Sequence, residues 1–163
     1  MKTFFCTEAP VAIYGLDVID GENKIFWRLP DEETSLVSDY VRDRSKTACG
    51  GRIRFRTNTK ELTLKMELLT LSVDPCMAVC AASGADVLLG SGLNSTYLGL
   101  INPARYDNYI AENTFKLDGS MQQVTINLPR NEKIAGVWIT LDDDAQLLAP
   151  LPYSRPGKLC FYG

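Results

Sequence analysis

The segment Glu61–Leu68, ELTLKMEL, alternates apolar and polar side chains at every position, and no other feature constrains the fold as strongly. A helix would spread its leucines and methionine around the axis, whereas a strand places them all on one face. The segment therefore predicts a β-strand with one face toward a core and the other toward solvent.

The same period of two recurs along the chain. Within Arg52–Arg56, Ile53 and Phe55 alternate with arginines. Gln123–Leu128 also alternates, and Gly136–Leu141 carries apolar residues on both faces, which predicts a central strand covered on both sides. Weaker strands are predicted at Lys24–Arg28, Ala85–Leu89, Tyr97–Ile101 and Thr114–Leu117.

One segment has a helical pattern. It begins behind a capping residue at Thr34 or Ser35, and it should run for two or three turns. The apolar side chains at helical spacing are Leu36, Val37, Tyr40 and Val41.

Short strands separated by regular turn signals predict an all-β fold, an antiparallel β-sandwich of jelly-roll type with one short helix. The sandwich is expected to occupy residues 1–149. Residues 150–163 are rich in proline at first and end in the apolar run Leu159–Tyr162. We interpret them as a stiff connector followed by the first strand of a further domain.

Composition excludes several classes of function. The net charge is −3 and no window is strongly basic, so a nucleic-acid partner is not expected. No apolar run approaches the length of about 18 residues needed for a membrane span. No nucleotide-binding motif is present, so no cofactor is expected.

The cysteines are odd in number and favour reduced thiols over a disulfide framework. Together with the lack of a signal-peptide core at the N-terminus, they favour the cytoplasm as the compartment. They are Cys6, Cys49, Cys76, Cys80 and Cys160.

The chain contains no histidine. Histidine is the usual base that activates a serine or cysteine nucleophile, and it is the commonest metal ligand. Ser-His and Cys-His catalysis are therefore excluded within these residues, and no catalytic residue is expected in this chain.

Two clusters contain residue types that could bind a metal ion. Cys76 and Cys80 are four residues apart but lack further ligands at a suitable spacing. Asp142–Asp144 could bind a hard cation, although a solvated hairpin tip is the favoured interpretation. No metal site is therefore predicted.

Three further patterns were weighed as binding features. Asn94–Thr96 matches the N-glycosylation pattern, which we attribute to chance. The alternating arginines of Arg52–Arg56 could clamp an anion, although a solvated row with neighbouring acids is favoured. Exposed aromatic rings could stack on sugars, and core packing is favoured for the tryptophan. These aromatic candidates are Tyr97, Tyr106, Tyr109 and Trp138.

The order of motifs resembles the N-terminal β-sandwich domain of a subgroup of SGNH/GDSL-type esterases. GADVL keeps Gly84 and Asp86 of the family's Gly-x-Asp-Leu-Tyr signature and has Val87 and Leu88 at its last two positions. The other similar segments are Phe26–Pro30, Ala48–Thr59, Ile126–Leu147 and Pro152–Gly163.

The resemblance implies where the chemistry would lie. In this family a strand ending in Phe-Tyr-Gly runs directly into the nucleophilic serine, which is thus expected immediately after Gly163. The oxyanion-hole residues and the Asp-x-x-His motif would follow in a C-terminal hydrolase domain of the same polypeptide.

The expected function is that of a non-catalytic N-terminal domain that packs on the hydrolase domain and helps shape the substrate cleft. The parent protein would be a serine ester hydrolase, a lipase or acylhydrolase, with acetylated sugars as one candidate substrate. The alternative is a free-standing carbohydrate-binding jelly-roll module. An enzyme that uses lysine or carboxylates is a third alternative.

Overall fold

Two antiparallel sheets packed face to face form the fold in the computed structural model, which describes residues 1–72, 75–105 and 107–153. The strands are β1 (Lys2–Phe5), β2 (Ala12–Tyr14), β3 (Val18–Asp20), β4 (Ile25–Trp27), β5 (Arg52–Thr57), β6 (Glu61–Leu68), β7 (Ala85–Leu89), β8 (Thr96–Ile101), β9 (Ile110–Lys116), β10 (Gln122–Asn127), β11 (Ile134–Leu141) and β12 (Leu147–Leu148). The helices are α1 (Asp39–Ser45) and α2 (Val79–Ser83), and 3-10 turns cover Glu32–Thr34 and Gly92–Asn94.

The strand order defines the two layers. Sheet A has the order β1-β11-β6-β9, and sheet B has the order β12-β5-β10-β7-β8, with β2 also paired to β5. Strands β3 and β4 form a separate hairpin. The sandwich confirms the predicted all-β fold, whereas the expected single helix is wrong because α2 is present as well.

The core between the sheets comes from the alternation that the sequence displays. On β6, the inward side chains Leu62, Leu64 and Met66 are fully buried, as predicted. They face Ile53 and Phe55 of β5, which are also fully buried. Burial of such side chains contributes about 25 cal/mol for each Å² of apolar surface, so this layer is the main source of stability.

A β-bulge interrupts β11 between Ile134 and Gly136. Gly136 has φ of +145°, and the Phe5 ring occupies the space that a Cβ atom would need there. Phe5 also contacts Trp138, with ring centroids 5.0 Å apart. Trp138 is half-buried on the outer face of sheet A and lies outside the core between the sheets, so the core packing favoured for it is wrong.

Helix α1 begins later than predicted, at Asp39, with Ser38 as its N-cap. The predicted apolar face is exposed, with Leu36 at 97% and Tyr40 at 70% of their full accessible area. The Arg42 side chain holds the helix to the preceding turn instead, because it donates to the carbonyl oxygens of Thr34 and Ser35.

Helix α2 was missed because its sequence lacks a start signal. It has only five residues, and its N-cap, Ala78, has no side chain able to accept a hydrogen bond. Neither helix in the described ranges is long and apolar enough to cross a membrane. The predicted strand Leu159–Tyr162 lies outside the described residues.

The bulge glycine supplies a stability test. We expect Gly136→Ala to destabilise the protein by about 3 kcal/mol or more, because it adds a clash with Phe5 to an unfavourable φ. Gly50→Ala is the matched control, since Gly50 has φ of +83° but no atom within 4 Å of an added Cβ. The control should cost only about 1–2 kcal/mol. Equal losses in urea unfolding would contradict the steric role of Phe5.

Candidate functional site

The outer surface of sheet B collects polar side chains from β5, β10 and β7, and we call it the signature face. The strand register sets Arg54 beside Thr125, and Thr125 beside Leu88. A parallel row runs from the β5 residue Arg52 through Asn127 to Asp86. The full set is Arg52, Arg54, Arg56, Asp86, Leu88, Gln123, Thr125 and Asn127.

The signature glycine has a steric explanation. A Cβ atom at Gly84 would lie 2.5 Å from the Cys80 carbonyl oxygen and 2.9 Å from Cδ1 of Leu100. Because those atoms belong to helix α2 and strand β8, only glycine lets β7 start directly at the end of α2. Gly84 therefore sets where Asp86 and Leu88 meet the signature face.

Two adjoining cavities lie on the signature face and share Asn127. The first has a volume of about 610 Å³ and lies between the arginine rows and the loop at residues 90–95. The second has a volume of about 410 Å³ and lies beside Asp86 and Tyr97. Leu88 lines the first cavity, where the family signature has tyrosine. Leucine leaves open the volume that a phenol ring would take.

Arg54 is an unusual member of this surface because only 5% of its area is exposed. Its guanidinium carbon lies 4.1 Å from the ring centroid of Tyr153 and 5.5 Å from that of Tyr14. These distances allow cation–π attraction. Nη1 is buried and has no hydrogen-bond partner among the described residues, which is rare for a charged group.

The expectation of a solvated arginine row with neighbouring acids is therefore wrong. Within the ranges that the structure covers, none of the three arginines forms an ion pair. Arg52 is exposed and Arg54 is buried. Arg56 donates from Nε to the Ala149 carbonyl oxygen at 2.8 Å. Water is excluded from this edge of β5 by strand β12, by Tyr14 of β2 and by Tyr153 of the connector. The alternation of residues within β5 does not reveal these neighbours.

The beginning of the proline-rich connector lies on the signature face. The Leu151 N–H donates to Oε1 of Gln123 at 2.8 Å. Gln123 is itself buried and donates to the Phe55 carbonyl oxygen at 2.9 Å. With the Arg56 and Tyr153 contacts, these bonds keep residues 149–153 against sheet B.

A fully buried carboxylate, that of Glu132, holds the segment that precedes the signature glycine. Glu132 accepts hydrogen bonds from Ser83 Oγ at 2.7 Å, Thr70 Oγ1 at 2.8 Å and the Ser72 N–H at 2.9 Å. Ser83 ends α2 and directly precedes Gly84. The Glu132 side chain thus fixes the point at which the signature segment enters the sheet.

The acidic run forms a structural contact. Asp142 accepts hydrogen bonds from Thr59 Oγ1 and from the N–H groups of Lys60 and Glu61, and these bonds hold the pKa of its carboxyl below the usual value. The turn joins sheet A to sheet B, so the hairpin expected here is wrong. No cluster of three or more metal-ligating side chains occurs among the described residues.

The four described cysteines differ in their burial. Cys76 and Cys80 are exposed near the start of α2. Burial raises the pKa of the Cys6 thiol to about 11, which keeps it protonated and unreactive at neutral pH. Cys49 is half-buried, and Cys160 lies outside the described residues.

Two of the aromatic candidates are exposed. Tyr97 keeps 63% of its area accessible at the second cavity, whereas Tyr109 is exposed but lines neither cavity. Tyr106 is outside the described residues. Asn94 belongs to the 3-10 turn beside the first cavity, and its lack of glycosylation stays a prediction.

Sequence comparison decides the family. Residues 6–147 match the family model described as GxDLY, the N-terminus of SGNH-hydrolase-type esterases. This chain belongs to the GxDLY family. No curated protein sequence matches the chain. The GxDLY domain thus accounts for nearly the whole sandwich, including the signature face.

Solved structures share the fold of this GxDLY domain. A protein described as a GDSL-like lipase from Bacteroides ovatus ATCC 8483 superposes with a TM-score of 0.77 at 16% identity, over 92% of this chain and 43% of that chain. The salicylyl-acyltransferase SsfX3 from a tetracycline biosynthetic pathway gives a TM-score of 0.69 at 19% identity, over 93% and 42%. The GxDLY domain therefore spans less than half of either protein.

Three residues of the site escaped sequence reasoning. Tyr14 lies in the three-residue strand β2, which is too short to show a period. Tyr153 lies in a connector, where an aromatic ring has no regular pattern. Glu132 resembles any surface acid in a polar loop, and its burial comes from contacts with residues far away in sequence. One sequence signal could have indicated that Arg54 lacks an ion-pair partner: no acidic residue lies close to Arg52–Arg56 in the sequence.

The buried carboxylate provides a direct test. Glu132→Gln should lower the free energy of unfolding by about 2–4 kcal/mol, because its amide would turn an N–H group toward donors that need an acceptor. Glu22→Gln, in an exposed turn, is the matched control and should change stability little. Comparable urea midpoints for the two variants would contradict the structural role of Glu132.

The Asp142 contacts predict a pH dependence. Because its folded pKa is lowered from 3.8, its contribution is fully present above the unfolded pKa and is lost as pH falls through the folded pKa. Asp142→Asn should therefore be less stable than the wild type at pH 7 and should lose less stability between about pH 5 and pH 3.

The control for this pH series is Asp144→Asn in the same turn, which makes none of the Asp142 hydrogen bonds. It should keep the wild-type dependence. Urea midpoints measured from pH 7 to pH 3 make the comparison, and identical slopes for wild type and Asp142→Asn would contradict the prediction.

Proposed function

We propose that this chain is the non-catalytic N-terminal domain of a serine ester hydrolase, and that its signature face packs on the hydrolase domain and helps shape the substrate cleft. The observation that carries the proposal is the position of the connector. Residues 149–153 lie on the signature face through Arg56, Gln123 and Arg54. The polypeptide that follows Tyr153 therefore starts from this face.

The division of chemistry between domains supports the proposal. A serine nucleophile needs a base to accept its proton, and this chain contains no histidine. In the proposed protein, residues 150–163 lead into the hydrolase domain, which supplies the serine immediately after Gly163 and its base. An acyl ester is the proposed substrate class, with acetylated sugars as one member.

The surface itself suits a domain interface. Ligand cavities occur preferentially where domains meet, and the two cavities described above open on the signature face. Thr125 and Leu88 are half-buried there without a covering layer from the described residues. A hydrolase domain placed on this surface would close the cavities into one cleft.

Carbohydrate binding by this chain alone is a second candidate, and the second cavity favours it. Tyr97 exposes most of its ring there, and Asp86, Asn127 and Arg130 line the same cavity. An exposed ring with polar neighbours can stack on a sugar while they bond its hydroxyls. Sugar binding by the 163-residue chain that is abolished by Tyr97→Ala would favour this candidate.

A bulky substitution on each side of the sandwich tests the packing proposal. In the polypeptide extended through the hydrolase domain, Thr125→Trp should lower kcat/KM for a p-nitrophenyl ester by about tenfold or more, because it fills the shared cleft. Thr63→Trp, on the outer face of sheet A, is the matched control and should leave kcat/KM unchanged.

Circular dichroism on each variant of the 163-residue chain verifies that both remain folded. The 163-residue chain should show no esterase activity. Wild-type kcat/KM for a folded Thr125→Trp protein would contradict the proposed packing, and esterase turnover by the purified chain alone would contradict its non-catalytic role.

A further inference from the structure

The structure assigns a further role to the first cavity of the signature face. We propose that it is a carboxylate-binding site in which Arg54 and Arg52 hold the anion. The inference concerns the 163-residue chain itself and does not require the proposed esterase function.

The first argument is the state of the Arg54 guanidinium. Arg54 lines the cavity although only 5% of its area is exposed, and its Nη1 has no hydrogen-bond partner among the described residues. A buried charge without an anionic partner has lost its hydration, and the cation–π attraction to Tyr14 and Tyr153 offsets only part of that loss. A ligand with negatively charged oxygens in the cavity would compensate the remaining charge.

The second argument is the charge of the lining. Arg52 and Arg54 both line the first cavity, and no aspartate or glutamate among the described residues does. The nearest acid in the strand register is Asp86, which lies beyond Asn127 and lines the second cavity. The uncompensated positive charge favours an anion there.

The third argument is the set of neutral groups around the two arginines. Thr125 and Asn127 carry donors and line the same cavity. The guanidinium of Arg54 is flanked by the Tyr14 and Tyr153 rings, which limits its rotation. A planar fork held in this way matches the two oxygens of a carboxylate.

The apolar part of the lining favours an organic acid over an inorganic anion. Leu88, Leu93 and Pro152 line the cavity together with the arginines. A volume of about 610 Å³ lies within the range of small-molecule sites. The carboxylate can come from a small acid, such as the product of an ester hydrolysis, or from an Asp or Glu side chain of the polypeptide that follows.

Sodium acetate and its neutral isostere acetamide are the probes for this site. In NMR titrations of the 15N-labelled 163-residue chain at pH 7 and constant ionic strength, acetate should cause saturable shifts of the Thr125 and Asn127 amide signals. Acetamide should not, because it lacks the charge that the arginines recognise.

Matched arginine variants decide which charge matters. Arg54→Gln should weaken acetate binding by about tenfold or more, and Arg52→Gln should weaken it less. Arg105→Gln is the control, since Arg105 is exposed and lines neither cavity, so the variant removes the same charge and should leave binding unchanged. If Arg54→Gln is unfolded by circular dichroism, the Arg52→Gln and Arg105→Gln pair carries the test.

The same acetate titration of the polypeptide extended through the hydrolase domain distinguishes a small acid from an Asp or Glu side chain as the source of the carboxylate. Acetate binding that persists there indicates a site for a small acid. Binding that is lost there and restored by substituting one Asp or Glu of the added domain indicates an intramolecular carboxylate. The inference would be overturned by absence of saturable acetate binding by the 163-residue chain, by equal binding of acetamide, or by equal weakening in Arg52→Gln and Arg105→Gln. Each of these results is independent of esterase activity.

Discussion

The buried carboxylate of Glu132 is the interaction on which the arrangement of the signature face depends. It accepts hydrogen bonds from the loop that follows β6 and from the end of α2, which have no regular pairing with each other. Burying a charged group is costly unless its hydrogen bonds are made. Meeting that requirement at Glu132 fixes Ser83, and through it the entry of Gly84 and β7 into sheet B.

The two faces of sheet B have different roles: the inner face packs in the core, and the outer face carries the proposed binding surface. Inward side chains such as Ile53 and Val124 pack in the core, while the outward Arg54 and Thr125 meet across the same two strands. Because side chains alternate strictly along a strand, the core pattern also determines which residues share the outer surface. The surface that carries the proposed functions therefore follows directly from the register that buries the core.

Regular alternation made most of the fold predictable, and local irregularity limited the rest. Leu62 and Leu64 are buried as their period requires. Leu36 follows a helical period but is exposed, because Arg42 anchors α1 through hydrogen bonds that hydrophobic patterning does not encode. At the site, the outward direction of the arginines was predictable. The burial of Arg54 was not, since Tyr14 and Tyr153 reach it from distant parts of the chain.

The Asp142 contact has a mechanical consequence. Asp142 lies in the loop that leads from β11 of sheet A to β12 of sheet B, and its carboxylate accepts hydrogen bonds from the loop that leads from β5 of sheet B to β6 of sheet A. These bonds tie the two sheets together at one end of the sandwich. The connector begins on sheet B shortly after this tie. Tension applied along the connector would accordingly be shared by both layers instead of peeling away a single edge strand.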